Sequence, residues 1–133
     1  MTGIQQAGIV HTDIRSIDDQ HHQFVDLTNR FQDLANGDDV KLRDGVLKEL
    51  KAYATFHFQS EENLMLQYDY PARERHAVEH RRLLAALEVH IDDVMAARSP
   101  PAKLILFLWK WLINHTNVED KPLGVHLRAR GAS

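Results

Sequence analysis

Five of the nine histidines in this 133-residue chain fall, together with two carboxylates, at spacings that suit helices. They are His21 in one segment, His57 followed by Glu61 in a second, His76 followed by His80 in a third, and His115 followed by Asp120 in a fourth. Each group lies in a separate stretch of apolar periodicity, so four helices could each deliver ligands to one interior point. A chain built this way is constrained to bring four segments side by side around a polar centre.

At 44% hydrophobic and 26% charged residues, the length suits one globular domain over residues 1–133. A net charge of -3 and a pI near 6.3 argue against a nucleic-acid surface, and Arg128 and Arg130 are too sparse for a polybasic patch. Without cysteine, disulfides, thiolate zinc sites, iron–sulfur clusters and thiol catalysis are excluded, and any metal must be held by nitrogen and oxygen. Met1-Thr-Gly-Ile-Gln-Gln6 has neither the basic nor the apolar region of a signal peptide. The most apolar run, Leu104 to Ile113, is interrupted by Lys110 and too short to span a bilayer. Neither a membrane nor a nucleic-acid partner is expected, and the expected location is the cytoplasm.

No segment alternates with the two-residue period of a half-buried strand, and the connections are short. The expected fold is therefore all-α, an antiparallel up-down-up-down four-helix bundle over about residues 16–121. An N-terminal arm, 1–15, precedes it and a C-terminal tail, 125–133, follows. Ser16-Ile-Asp-Asp19 has capping-box spacing, which starts the first helix near Ile17 and carries it to Asn36, with Gly37 as its stop. The Asp38-Asp39 cap opens a second helix to about Gln67. Tyr70-Pro71 opens a third, reaching about Ala97, and Ser99-Pro100-Pro101 a fourth, reaching about Asn117 before Pro122 and Gly124 close the bundle.

Helical angles decide which side chains can share a core. At about 100° per residue, Leu50, Tyr53, Leu64 and Tyr68 lie within roughly 40° of His57, and Glu61 is about 40° away. Glu62, about 140° away, is expected to face solvent. On the third helix Leu83, Leu87 and Val94 cluster within about 20° of His76, and His80 follows one turn later. His21 flanks the stripe of Ile17, Phe24, Val25 and Thr28, whereas His22 turns outward. Leu104, Leu108, Trp111 and Leu112 lie within about 60° of His115. Asp120 stands about 140° from His115 on a regular helix, while Glu119 shares its face. Either Glu119 is the ligand, or a π-turn or helix end near residues 116–120 swings Asp120 inward.

Any one histidine on an apolar face is more often a satisfied core residue than a ligand. Seven polar groups in one small core are another matter, because each is costly to bury without compensation and a metal pair compensates all of them together. His11 and His126 are placed outside the helices, and His90 lies about 15 Å along the helix from His80, at the edge of the core. Phe24, Phe31, Phe56, Phe58, Trp109 and Trp111 are read as bundle core, with some of them walling a dry pocket.

The segments Ile17-Asp-Asp-Gln-His21, His57-Phe-Gln-Ser-Glu61-Glu-Asn-Leu-Met65, Tyr70-Pro71 with His76-x3-His80, and Trp111-Leu-Ile-Asn-His115-x4-Asp120 resemble the hemerythrin family, above all its bacterial members. The resemblance covers about residues 10–124. It implies Asp120 as the last ligand. His76, His80 and His115 would hold one iron and His21 and His57 the other, with Glu61, Asp120 and an oxygen bridging both and the open position at the iron of His21 and His57. Two departures stand out. The arm carries Ile9-Val10-His11-Thr12 where many relatives have an aromatic residue, and Thr116 follows the last histidine in place of a bulky aliphatic, so that a hydroxyl could admit water.

The resemblance implies reversible O2 binding at a non-haem di-iron centre, for transport, storage or delivery, with nitric oxide as the other diatomic ligand to weigh. A monomer is expected, with an O2-using enzyme as the partner to weigh, and no catalytic side chain is required. The alternatives are a di-iron oxidase or peroxidase, and a sensing or iron-handling module. Ferritin-like oxygenases use paired Glu-x-x-His motifs, a different spacing from His-x3-Glu and His-x3-His. Histidine and carboxylate donors also accept zinc, manganese or copper.

Overall fold

In a computed structural model the described residues are 11–133; the first ten residues of the expected arm, Ile9 and Val10 among them, lie outside that range. Four long helices run antiparallel: α1 (Arg15–Leu34), α2 (Val40–Gln67), α3 (Arg73–Met95) and α4 (Pro101–His115). A π-helical turn, Thr116–Asp120, then leads without a break into α5 (Lys121–Ala129). No strand occurs among the described residues. Around the bundle α1 packs on α2, α2 on α3, α3 on α4, and α4 back on α1.

The helix starts follow local chemistry, with one exception. Asp39 caps α2 by accepting from Leu42 N at 3.0 Å, and Pro100-Pro101 sets up the first turn of α4, where a missing N–H costs nothing. The capping box expected at Ser16 and Asp19 does not form. Asp18 takes over that end: its carboxylate accepts from Thr12 N and Thr12 Oγ1, both at 2.8 Å, and from Asp13 N at 3.0 Å. The segment before α1 is thereby drawn into register, the helix begins at Arg15, and Ser16 falls inside its first turn.

The expected tail is a second departure. Residues 121–129 are helical, with Leu123, Gly124 and Leu127 buried, and the end of the chain returns to the N-terminal side through Arg15 N to Ser133 O at 3.3 Å and Arg128 Nη1 to Asp13 Oδ2 at 2.8 Å. Pro122 fails to stop the helix because it occupies the first turn of α5, where the preceding π-turn has already rearranged the hydrogen bonds. His126, expected outside any helix, sits in α5 and donates from Nε2 to Tyr68 O at 2.8 Å.

The apolar core is split in two. The larger part centres on Phe24, Phe31, Leu50, Phe58, Leu108 and Leu112. The smaller joins Ile14, Ile17, Met65, Tyr70, Leu123 and Leu127 at the other end. Along the chain the buried residues that separate the two parts are polar: His21 between Ile17 and Phe24, Glu61 between Phe58 and Met65, His76 and His80 between Tyr70 and Leu87, and His115 and Asp120 between Leu112 and Leu123. Truncating Leu50 or Leu108, both fully buried, to Ala would cost about 2–5 kcal/mol. Phe56 departs from the core reading; it is 55% exposed and leans on Tyr53, because it lies on the outer side of α2 one residue before His57.

Candidate metal centre

All seven singled-out side chains meet in the polar layer between the two apolar clusters, and each is buried. They form two overlapping groups, Glu61 with His76, His80, His115 and Asp120, and Glu61 with His21, His57 and Asp120. Within each group the prospective ligand atoms lie within 4.8 Å of one another. The two shared carboxylates each divide their oxygens. Glu61 turns Oε1 toward His80 Nε2 at 2.9 Å and His76 Nε2 at 3.3 Å, and Oε2 toward His57 Nε2 at 3.4 Å. Asp120 turns Oδ1 toward His115 Nε2 at 3.1 Å and His76 Nε2 at 3.3 Å, and Oδ2 toward His21 Nε2 at 2.9 Å.

Asp120 reaches this layer through the π-turn. Lys121 N–H donates to Thr116 O, five residues back, so residues five apart fall on one face and Asp120 stands over His115. The regular-helix angle that favoured Glu119 does not apply here. Glu119 is turned to the outer side of α3, where its Oε1 accepts from Arg75 Nη1 at 3.0 Å. Glu62 also departs from its expected place in solvent. It reaches across the interface of α2 and α3 to His80 Nδ1 at 2.9 Å. His22 is exposed as expected, and His90 is half-buried with its ring 4.4 Å from that of Phe107.

A metal pair fits this donor set on the strength of what the protein alone leaves unmade. Both oxygens of Glu61, Asp120 Oδ1 and the Nε2 atoms of His76, His80 and His115 are buried without a hydrogen-bond partner, since their close approaches to one another lack hydrogen-bond angles. At about 1–3 kcal/mol for each unsatisfied group, such a set would rival the whole stability of a domain. Inward-facing lone pairs on neutral imidazoles and carboxylates are what a divalent ion requires.

Protonation in the metal-free cluster follows from the same crowding. Burial opposes a charged His57 and pushes its pKa down to about 4. Burial opposes charge on His76 and His115 as well, but the neighbouring Asp120 and Glu61 outweigh it and lift these two to about 9 and about 10. Burial acts to raise both Glu61 and Asp120, and the neighbouring Asp120 carboxylate adds to this at Glu61; the surrounding histidines prevail and hold both well below the usual carboxylate range. Without metal, protons on His76 and His115 take the place of cations.

Aromatic rings close the layer toward the larger cluster. Phe58 stacks on His80 with centroids 4.0 Å apart and planes 12° apart, and meets Trp111 edge-on at 5.6 Å. Thr116 is fully buried, and its hydroxyl donates to Ile113 O at 3.0 Å, so its proton is engaged by its own helix. A cleft of about 330 Å³ between α3 and α4, lined by Glu79, Arg82, Phe107, Trp111 and Glu119 among others, reaches the outer edge of His115.

The model of the hemerythrin HHE cation binding domain matches residues 12–125. The chain belongs to the hemerythrin family. Hemerythrin relatives bear this out at moderate distance. A bacteriohemerythrin of Methylococcus capsulatus is 29% identical over 126 residues, covering 89% of this chain and 91% of that one. A bacteriohemerythrin of Pseudomonas aeruginosa is 28% identical over 111 residues, covering 84% and 72%. A crystal structure of wild-type hemerythrin superposes with a TM-score of 0.82 at 28% identity, over 92% of this chain and 94% of that one. The hemerythrin bundle and a histidine and carboxylate cluster suited to metal are thus established for this chain. No helix among the described residues is long and apolar enough to cross a membrane.

Proposed function

We propose that this chain binds O2 reversibly at a non-haem di-iron centre held by His21, His57, Glu61, His76, His80, His115 and Asp120, and serves as a carrier, store or delivery protein. The observation that carries this reading is the sharing of Glu61 and Asp120 between a group with three imidazoles and a group with two. One ion would take five protein donors and the other four, which would leave the second the more open to a small ligand. A pair of ferrous ions, when bound, supplies two electrons and an open coordination position. Two carboxylates offset only half the charge of two divalent ions, and the five neutral imidazoles leave the rest, which favours an anionic or reducible guest. Iron rather than zinc is the proposed occupant, on the strength of the family.

The chain's own residues would protect that guest. Phe58, Trp111 and Phe24 keep the larger cluster side dry, and the engaged hydroxyl of Thr116 offers no free proton to it. No acid, base or nucleophile outside the seven is needed, so the reading is of a binding protein and not of an enzyme. Its proposed setting is the cytoplasm, as a monomer, where a cysteine-free chain needs no oxidising compartment.

Two measurements test the reading. Metal analysis of protein purified from its host should give two irons per chain; one zinc would sink it. Stopped-flow mixing of the diferrous protein with O2 should then give a long-lived coloured species that deoxygenation reverses. Rapid irreversible oxidation with turnover of a reducing substrate would instead establish an oxidase or peroxidase.

A further inference from the structure

The Nε2 atoms of all five clustered histidines face Glu61 or Asp120, so each ring turns Nδ1 away from the centre. In a neutral imidazole that ligates through Nε2, Nδ1 carries the proton and seeks an acceptor outside. Only two of the five find one among the described residues. His80 Nδ1 lies 2.9 Å from Glu62 Oε2, and His57 Nδ1 lies 2.6 Å from Gln20 Oε1. The Nδ1 atoms of His21, His76 and His115 are buried without a partner.

The two acceptors differ in their own surroundings. Gln20 donates from Nε2 to Ser60 Oγ at 3.2 Å, which leaves its oxygen for His57. Glu62 occupies the position next to Glu61 on α2, its side chain 27% exposed, so its carboxylate meets His80 from the solvent side of the bundle. One acceptor serves each ligand group, and the two differ in charge. A carboxylate draws the Nδ1 proton more strongly than an amide oxygen does, makes the ring a stronger donor, and so favours a more highly charged ion.

We propose that Glu62, acting through His80, and Gln20, acting through His57, are positioning residues that make the two metal positions electronically unequal. The position with three imidazoles receives a negative outer partner and is built to stabilise the more oxidised ion. The position with two receives a neutral one. This rests on the di-iron reading given above.

Iron-loaded wild type, Glu62→Gln, Glu62→Ala and Gln20→Glu are compared by spectroelectrochemical titration and by competition with a chelator for ferrous iron. Glu62→Gln keeps an acceptor oxygen and loses the charge; it should retain two irons and show a higher midpoint potential. Glu62→Ala should raise the potential further and weaken iron binding by roughly tenfold to a hundredfold. Gln20→Glu should lower the potential. If Glu62→Ala fails to fold, the isosteric Glu62→Gln decides. Unchanged potentials in the Glu62 variants, at equal iron content and equal thermal midpoint, overturn the inference and leave the di-iron reading standing. A wild type that retains no metal pair overturns both.

Discussion

At the scale of single residues, Asp120 and Glu119 show how far one position along a helix can separate two acids. Both are buried, yet Asp120 approaches three imidazoles, those of His21, His76 and His115, and Glu119 is paired with Arg75 at the surface of α3. Asp120→Ala should therefore abolish loading of the metal pair, because each group loses a donor at once, whereas Glu119→Ala should keep both metals and lose only a partly exposed ion pair of about 1 kcal/mol or less. Metal content after gel filtration is the readout, and a metal-free Glu119→Ala beside a loaded Asp120→Ala would reverse the assignment. Six of the seven clustered residues were legible from helical angles alone, since each shares a face with an apolar stripe. Asp120 was not, as an angle computed on a uniform helix cannot foresee a local change of period. Glu62 and Gln20 were missed for a related reason: a helical wheel ranks residues by the face of their own helix and says nothing of what a long side chain touches on the next one.

At the scale of elements, the π-turn is the device that brings Asp120 into the polar layer beside His115. Pro122 suits this turn: it has no N–H to return to Val118 O, so a ladder shifted by one residue leaves no donor stranded at that position before α5 resumes. Pro122 and Gly124 look like stop signals in a sequence. Here they are a kink tolerance and a close contact. The long helices were easier to foresee, their ends falling within a few residues of the Asp39, Gly37 and Pro100 signals. The end of α3 carries a residue that sequence rules would not choose. Ala97 takes φ 59, the left-handed region that glycine usually fills after a helix. The left-handed conformation costs an L-residue about 1–2 kcal/mol, and glycine gives back roughly 0.5–1 kcal/mol through its freer unfolded chain. Ala97→Gly should thus stabilise the protein by about 0.5–1 kcal/mol, raising Tm by a few degrees. A lowered midpoint in a thermal melt would show that the turn is held by something other than its backbone conformation.

At the scale of the whole molecule, the segment just before α1 and helix α5 brace each other at one end of the bundle, beside the polar layer. Gly124 of α5 lies so close to the segment before α1 that an added Cβ would come within 2.8 Å of Thr12 Cβ and of its carbonyl oxygen. Because backbone must move to admit a methyl group there, Gly124→Ala should cost about 1–3 kcal/mol in a urea titration. The metal layer contributes on a different axis, pH. In the metal-free protein His76 and His115 have folded pKa values of about 9 and about 10, raised above the unfolded value of 6.5. The stability they add is therefore fully present below about pH 6.5 and is lost as pH rises through 9 and 10. His57, depressed to about 4, acts oppositely, since its contribution is full above pH 6.5 and erodes only as pH falls toward 4. Glu61 and Asp120, held low, contribute above their ordinary range and weaken only in stronger acid. Between pH 6.5 and 9, then, raising pH weakens the metal-free cluster, while the same change favours metal, whose binding must displace the protons on His76 and His115. The gap in Tm between iron-loaded protein and protein stripped by a chelator should widen steadily from pH 6.5 to 9, and iron uptake at pH 7 should release protons into a weakly buffered solution. A gap that narrows over that range would mean that these histidines are neutral before the metal arrives, and that burial, not the two carboxylates, governs the empty layer.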